Sequence, residues 1–187
     1  MGEAKARLER LRETFLANAE QWMFPPSRWE RDAVREILDG PVERAVRSLP
    51  RGAAVLNGPL RECHANAEFY AAHDPTGRAK MVTGWWRQPN VLVLHSLVDI
   101  DGQLYCVTPS DVDPSPDFTF IRDPKLHWRE KDGERVCERD GHCIGPGLRL
   151  DAPQVIADTA LIKDRLSSGM NPYEAVKVAI GSGSRRR

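Results

Sequence analysis

Two residues capable of covalent chemistry stand in informative surroundings. Cys63 follows the turn Asn57-Gly58-Pro59 and lies in the first turn of a segment, Leu60 to His73, that reads as a helix. A helix N-terminus presents unpaired amides and partial positive charge, which favour a thiolate over a thiol. His95 interrupts the apolar run Val91-Leu92-Val93-Leu94-His95-Ser96-Leu97-Val98, where an imidazole is costly unless it is hydrogen-bonded or at work. A base on a rigid strand facing a nucleophile at a helix start is the arrangement a thiol hydrolase needs. Each residue has a plainer reading as well, Cys63 as a small buried hydrophobe and His95 as a satisfied core histidine.

Four neighbours extend the set. The Asn57 amide, six residues before Cys63, is placed to donate to an oxyanion beside the sulfur, although the residue also suits an Asn-Gly turn. His64 and Asn66 add polarity to the same turn and are expected to contact substrate. His64 is a poor base for Cys63, because adjacent helical residues do not face each other. With Asp101-Gly102 as a two-residue hairpin loop, Ile100 pairs with Gln103, Leu97 with Cys106, and His95 falls opposite Thr108. Cys106 and Thr108 then share the face of His95. Asp99 is on that face too, but ~13 Å along the strand, too far to orient the ring. The expected orienter is Thr108, Asp111, Asp113 or a backbone carbonyl.

A Cys opening a helix, then a strand His, a hairpin and a Thr-Pro, resembles the papain-like and transglutaminase-like cysteine hydrolase superfamily. The stretches that carry the resemblance are Glu62-Cys63-His64-Ala65-Asn66-Ala67 and His95 through Pro109, under a third of the chain. Asn57 stands at the papain-type spacing for the oxyanion amide. The resemblance implies Cys63 as nucleophile, His95 as base and a peptide or protein substrate bearing an amide. Transglutaminase-like proteins usually carry an Asp on the strand after the His; here the segment reads Cys106-Val107-Thr108-Pro109, without a carboxylate. The function expected is a thiol-dependent amide hydrolase or acyl transferase of peptidase, deamidase or transglutaminase type. The alternative is a catalytically silent relative that binds or assembles proteins.

A zinc-stabilised interaction domain is a third reading, since Cys137, His142 and Cys143 cluster near a turn. Structural zinc sites show two ligand pairs at short spacing, absent here, so no metal and no cofactor are expected. A two-residue Asp140-Gly141 turn pairs Glu138 with Cys143 and puts Cys137 and Cys143 on opposite faces. Trp85 and Trp86 also point to opposite faces of a strand, as core aromatics or as walls of a substrate groove.

The elements that must position these residues are readable from patterning. Glu3 to about Met23 has helical spacing, and Pro25-Pro26 stops it. Ser27 and Glu30 form a capping box for a helix to Leu38. Pro41 predicts the start of a third helix ending near Leu49-Pro50. Lys80–Arg87 and Val91–Ile100 read as strands, with Gln103–Thr108 returning from the hairpin. Pro109–Pro124, rich in proline and aspartate, predicts a loop, and Leu126–Leu150 two more hairpin turns at Asp132-Gly133 and Asp140-Gly141. Asp151 caps a helix to about Leu166, and Asn171-Pro172 begins a last one.

The fold class expected is α+β: a helical N-terminal lobe, a central antiparallel sheet and C-terminal helices. The chain of 187 residues suits a single domain over 1–180, with 1–50 as the helical lobe, 51–150 as the helix and sheet of catalytic type, 151–180 as terminal helices, and 181–187 as a flexible basic tail. Twenty-seven basic and 27 acidic residues cancel, which argues against nucleic acid or a membrane surface as partner. No apolar run is long enough to span a membrane, the charged start lacks a signal-peptide core, and four scattered cysteines make no disulfide scaffold. A reduced, cytoplasmic protein is expected.

Overall fold

Three Asp-Gly pairs set the strand registers. Asp101, Asp132 and Asp140 take φ of 53°, 53° and 50°, and the glycines after them 89°, 80° and 78°. Two successive left-handed residues make the hairpin turn whose twist matches paired strands, and Asp-Gly is among the sequences that tolerate it. The structure, a computed structural model, describes residues 2–50, 58–60, 62–109 and 115–183. It is mixed α and β, with elements α1 (Gly2–Glu20), α2 (Arg28–Leu38), β1 (Val42–Val46), α3 (Cys63–His73), β2 (Ala79–Arg87), β3 (Val91–Ile100), β4 (Gln103–Tyr105), β5 (Asp117–Arg122), β6 (Leu126–Lys131), β7 (Glu134–Arg139), β8 (His142–Ile144), β9 (Gly147–Arg149), α4 (Ala152–Ser167) and α5 (Pro172–Gly183).

Two units emerge, Asp32–Leu148 and the pair of segments Met1–Arg31 with Arg149–Arg187. In the first, strands run in the order β2-β5-β1-β4-β3, and β2 pairs again with β3, so the sheet closes into a small barrel. Strand β9 lies beside β3, and β6, β7 and β8 form a separate three-stranded sheet. The barrel interior holds Ala45, Leu97, Leu104, Cys106, Phe118 and Phe120. Helix α3 covers the outer face through Ala67 and Tyr70, which pack on Ala79, Val98, Ile100 and Val107. Gly84 is required where β2 crosses β5: a Cβ there would sit 2.3 Å from the Ile121 carbonyl and 2.7 Å from the Phe120 ring.

Two expected elements are corrected. Val42–Val46, expected as a helix, is a strand paired antiparallel with β5 and parallel with β4. Pro41 suits a helix start, but burying Ala45 inside the barrel and filling the gap between two strands outweighs that local preference. The parallel β1–β4 pair also makes the sheet mixed where an antiparallel one was expected. Within the expected loop Pro109–Pro124, Asp117–Arg122 is a strand between β1 and β2, with Phe118, Phe120 and Ile121 buried.

The second unit brings α1, α4 and α5 together with the start of α2. Its centre is ionic. Arg149, fully buried, is paired with buried Glu30 at 2.7 Å, donates to the carbonyls of Trp22 and Phe24 at 2.9 and 2.6 Å, and lies 3.6 Å over the Phe24 ring. The Ser27 hydroxyl accepts from the Glu30 amide at 3.0 Å, but the Glu30 carboxylate serves Arg149 instead of closing the capping box. Asp151 caps α4 by accepting from the Gln154 amide at 3.0 Å. Asn171 accepts from the Tyr173 amide at 3.0 Å at the start of α5, which runs to Gly183, into the stretch expected as tail. Among the described residues no helix is long and apolar enough to cross a membrane.

Candidate functional site

Helix α3 opens at Cys63, as its position after the Gly58-Pro59 turn implies, with no side-chain cap from Glu62. Pairing with β2 and β4 fixes β3, so its side chains alternate strictly. His95 is on the face lining the barrel interior, against Trp86 and Phe118 at ring distances of 5.8 and 5.7 Å. Ser96 is on the face covered by α3.

Cys63, at the start of α3, feels the Ser96 amide of β3. Burial pushes its thiol up, and the backbone amides of Ser96, His64 and Cys63 itself pull the other way by favouring a thiolate. The net direction is upward, away from the thiolate that the helix start and a histidine partner were expected to favour: only 8% of the residue is exposed, so water contributes little to stabilising the anion. Among the described residues no hydrogen bond joins Cys63 to His95, and the imidazole is on the face of β3 opposite the one α3 covers, which corrects the expectation of a base facing the helix-start nucleophile.

The His95 ring is oriented by a residue not among the expected orienters. Its Nε2 is 3.4 Å from Cys106 Sγ. The Cys106 thiol points at the Thr108 carbonyl, 3.7 Å away, and Arg47 Nη1 donates to the same sulfur at 3.5 Å. A thiol hydrogen directed at Thr108 lets the sulfur accept from a His95 Nε2–H, the tautomer in which Nδ1 is the bare nitrogen; a thiol donating to Nε2 gives the other tautomer. Burial, then the charges of His64 and Arg47, depress His95 to about 3, so the ring is neutral at ordinary pH. Burial also raises Cys106. Asp99 is occupied by Arg122 at 2.7 Å and by the Gly102 amide, away from the imidazole as the register implied.

Thr108, expected as a catalytic orienter, takes another position: its hydroxyl accepts from Asn66 Nδ2 at 3.4 Å. Asn66, expected to bind substrate, is buried, and the same amide nitrogen donates to the Pro59 carbonyl at 2.8 Å. It fastens the turn before Cys63 to the end of the hairpin, and a Cβ on Gly58 would lie 2.1 Å from its Oδ1. Trp85, read as a core aromatic or a groove wall, is fully enclosed and donates to Asp123 at 2.8 Å; pairing of β2 on both edges turns it into the core. Trp86 is half-buried on the His95 face, with the Arg47 guanidinium 5.4 Å above its ring. Asn57, Asp111 and Asp113 lie outside the described residues.

His64 lies on the other side of the strand, its Nδ1 2.7 Å from Ser96 Oγ, and burial followed by the Arg135 charge lowers it to about 4. Sequence reasoning missed Arg47 and the Ser96–Thr83 pair. The hairpin register had already put Cys106 on the imidazole's face, but a cysteine was not weighed as its partner.

At Asp140-Gly141, Glu138 pairs with Cys143 as the turn arithmetic gives. Cys137 is buried, Cys143 is exposed, and all four cysteines are free. Among the described residues no group of three or more His, Cys, Asp or Glu is arranged to hold a metal ion. No family model matches the chain, and neither a curated protein nor a solved structure matches it.

Proposed function

We propose that this chain is a thiol-dependent amide hydrolase or acyl transferase of papain-like or transglutaminase-like type, acting on a peptide or protein amide, with Cys63 as nucleophile and His95 as general base. The observation that supports the reading is that His95 Nε2 lies 3.4 Å from Cys106 Sγ while the neighbouring Ser96 amide favours the Cys63 thiolate; with its hydrogen on Nε2, the imidazole has Nδ1 as the proton acceptor of this reading. A neutral thiol and a neutral imidazole then react as a pair. Nδ1 takes the thiol proton as sulfur bonds to the carbonyl carbon. The imidazolium returns that proton to the leaving nitrogen as the C–N bond breaks. Water or an amine attacks the thioester, gives its proton to Nδ1, and expels sulfur, which is reprotonated. The developing oxyanion is held by amides of the α3 start, with Asn57 as a further donor. Four free thiols suit a reducing compartment such as the cytoplasm.

A second reading is favoured by one specific observation: burial raises Cys63 and depresses both histidines, the resting state of a silent, protein-binding relative. A small peptidyl thioester separates the two. An active site becomes acylated at Cys63, detected by mass, and His95→Ala slows this by about 100-fold, the lower end of what a positioned base supplies. Acylation that ignores Cys63, or is unchanged in His95→Ala, supports the silent relative.

A further inference from the structure

We propose that His64 is a second catalytic residue of this site, held as its Nε2–H tautomer by a one-way chain of hydroxyl groups and donating that hydrogen to the carbonyl oxygen of the acyl group attacked by Cys63. The inference rests on the thiol reading above and adds to the α3 amides a side-chain oxyanion donor among the described residues.

The chain runs through residues brought together by the β2–β3 pairing, in which Thr83 stands directly opposite Ser96. Trp128 Nε1 is 3.4 Å from Thr83 Oγ1, Thr83 Oγ1 is 2.9 Å from Ser96 Oγ, and Ser96 Oγ is 2.7 Å from His64 Nδ1. An indole nitrogen only donates. Thr83 accepts from Trp128, and the chain assigned here continues with Thr83 donating its own hydrogen to Ser96 Oγ. Ser96 is fully enclosed, so its hydrogen must be used within the protein, and with Thr83 donating to it the acceptor is His64 Nδ1. Every hydroxyl hydrogen is then satisfied in one direction, and the imidazole hydrogen falls on Nε2.

The ring is also held in orientation. Trp128 meets it edge-on at 4.5 Å, Arg135 stacks 4.9 Å over that indole, and Arg135 is in turn paired with Glu68 on α3. Ser96 serves both residues: its hydroxyl is bonded to the His64 ring, and its amide favours the Cys63 thiolate. His64 is half-buried and follows Cys63 in the first turn of α3, at the same end of the helix. Its depressed titration keeps it a neutral donor, which binds an oxyanion without transferring a proton to it.

The experiment has two arms. Long-range 1H–15N spectra of the full chain at pH 7 should show His64 with a pyridine-like Nδ1 and a pyrrole-like Nε2; Ser96→Ala should convert this to a mixture of tautomers. An Nδ1–H form or a mixture in the unaltered chain overturns the proposal. In the second arm a peptidyl aldehyde traps Cys63 as a thiohemiacetal, whose oxygen sits where the oxyanion forms, while iodoacetamide alkylates the same sulfur with no such oxygen. His64→Leu should weaken aldehyde binding about 100-fold and leave alkylation within a few-fold, the lower range for losing one oxyanion donor. His64→Gln, which can present an amide N–H near the lost Nε2–H, should recover much of the aldehyde affinity. Equal aldehyde binding in His64→Leu overturns this inference while leaving the thiol reading intact. If the aldehyde adds at cysteines other than Cys63, the thiol reading itself fails.

Discussion

The Nε2 of His95 and the sulfur of Cys106 lie 3.4 Å apart on the barrel's inner face, so a thiol takes the place where a carboxylate would steady an imidazolium. A neutral sulfur accepts a hydrogen bond but supplies little charge, and Arg47, donating to the same sulfur, adds charge of the wrong sign. Burial, with the charges of His64 and Arg47 behind it, holds His95 neutral.

Cys106→Asp should reverse that balance. An opposite charge within hydrogen-bond reach raises an imidazole by about 1 to 3 pH units, so His95 should titrate well above its present value of about 3. The same variant should speed acylation by the thioester, because the imidazolium formed on proton transfer is stabilised. An NMR titration of the ring checks the first outcome; an unmoved His95 would mean that the introduced carboxylate turns to Arg47 alone. Cys106→Ala, which supplies no charge, should not raise it.

Burial gives the thiols a definite order of reactivity. Exposed Cys143 should be alkylated first by iodoacetamide at pH 8, buried and raised Cys63 later, and Cys137, pushed up to about 11, last. At pH 6 Cys63 should hold no lead over Cys143. Peptide mapping by mass spectrometry reads the order, and early labelling of Cys63 would show that the helix-start amides outweigh burial.

Acid should destabilise the fold through two sheltered imidazoles. His64 and His95 sit at about 4 and 3 when folded and near 6.5 when unfolded, so between these limits the unfolded chain binds more protons. Their contribution is complete above about pH 6.5 and is lost as pH falls toward the folded values. At pH 4.5, two units below the unfolded value, the loss is about 3 kcal/mol for His95 alone. Urea midpoints should fall across this window, and less steeply for His95→Gln after allowing for its own lower baseline; equal slopes would locate the titration elsewhere.

In the helical unit, Arg149→Leu should cost about 3 to 5 kcal/mol, because it leaves the Glu30 carboxylate buried without its cation. Replacing both residues by leucine should recover a large part of that. Urea unfolding of the single and double variants measures the difference, and a single variant as stable as the double would show that water reaches Glu30.

Short-range chemistry settled much of this molecule from the chain alone. The Asp-Gly pairs carry left-handed backbone that few other residues accept, so the hairpin at Asp101-Gly102 and the pairing of Glu138 with Cys143 follow from sequence. Asp151 and Asn171 cap helices by bonds to amides two or three residues on. The alternation that put Cys106 on the imidazole's face is equally local. Partners distant in sequence decided the rest. Val42–Val46 is a strand because β4 and β5 flank it, and Trp85 is core because β5 closes over it, facts no window of neighbouring residues contains. The state of the thiols and imidazoles was beyond the sequence for the same reason: ionisation depends on how much water and which charges surround a group, and burial at Cys63, His64 and His95 exists only once the barrel and α3 are assembled.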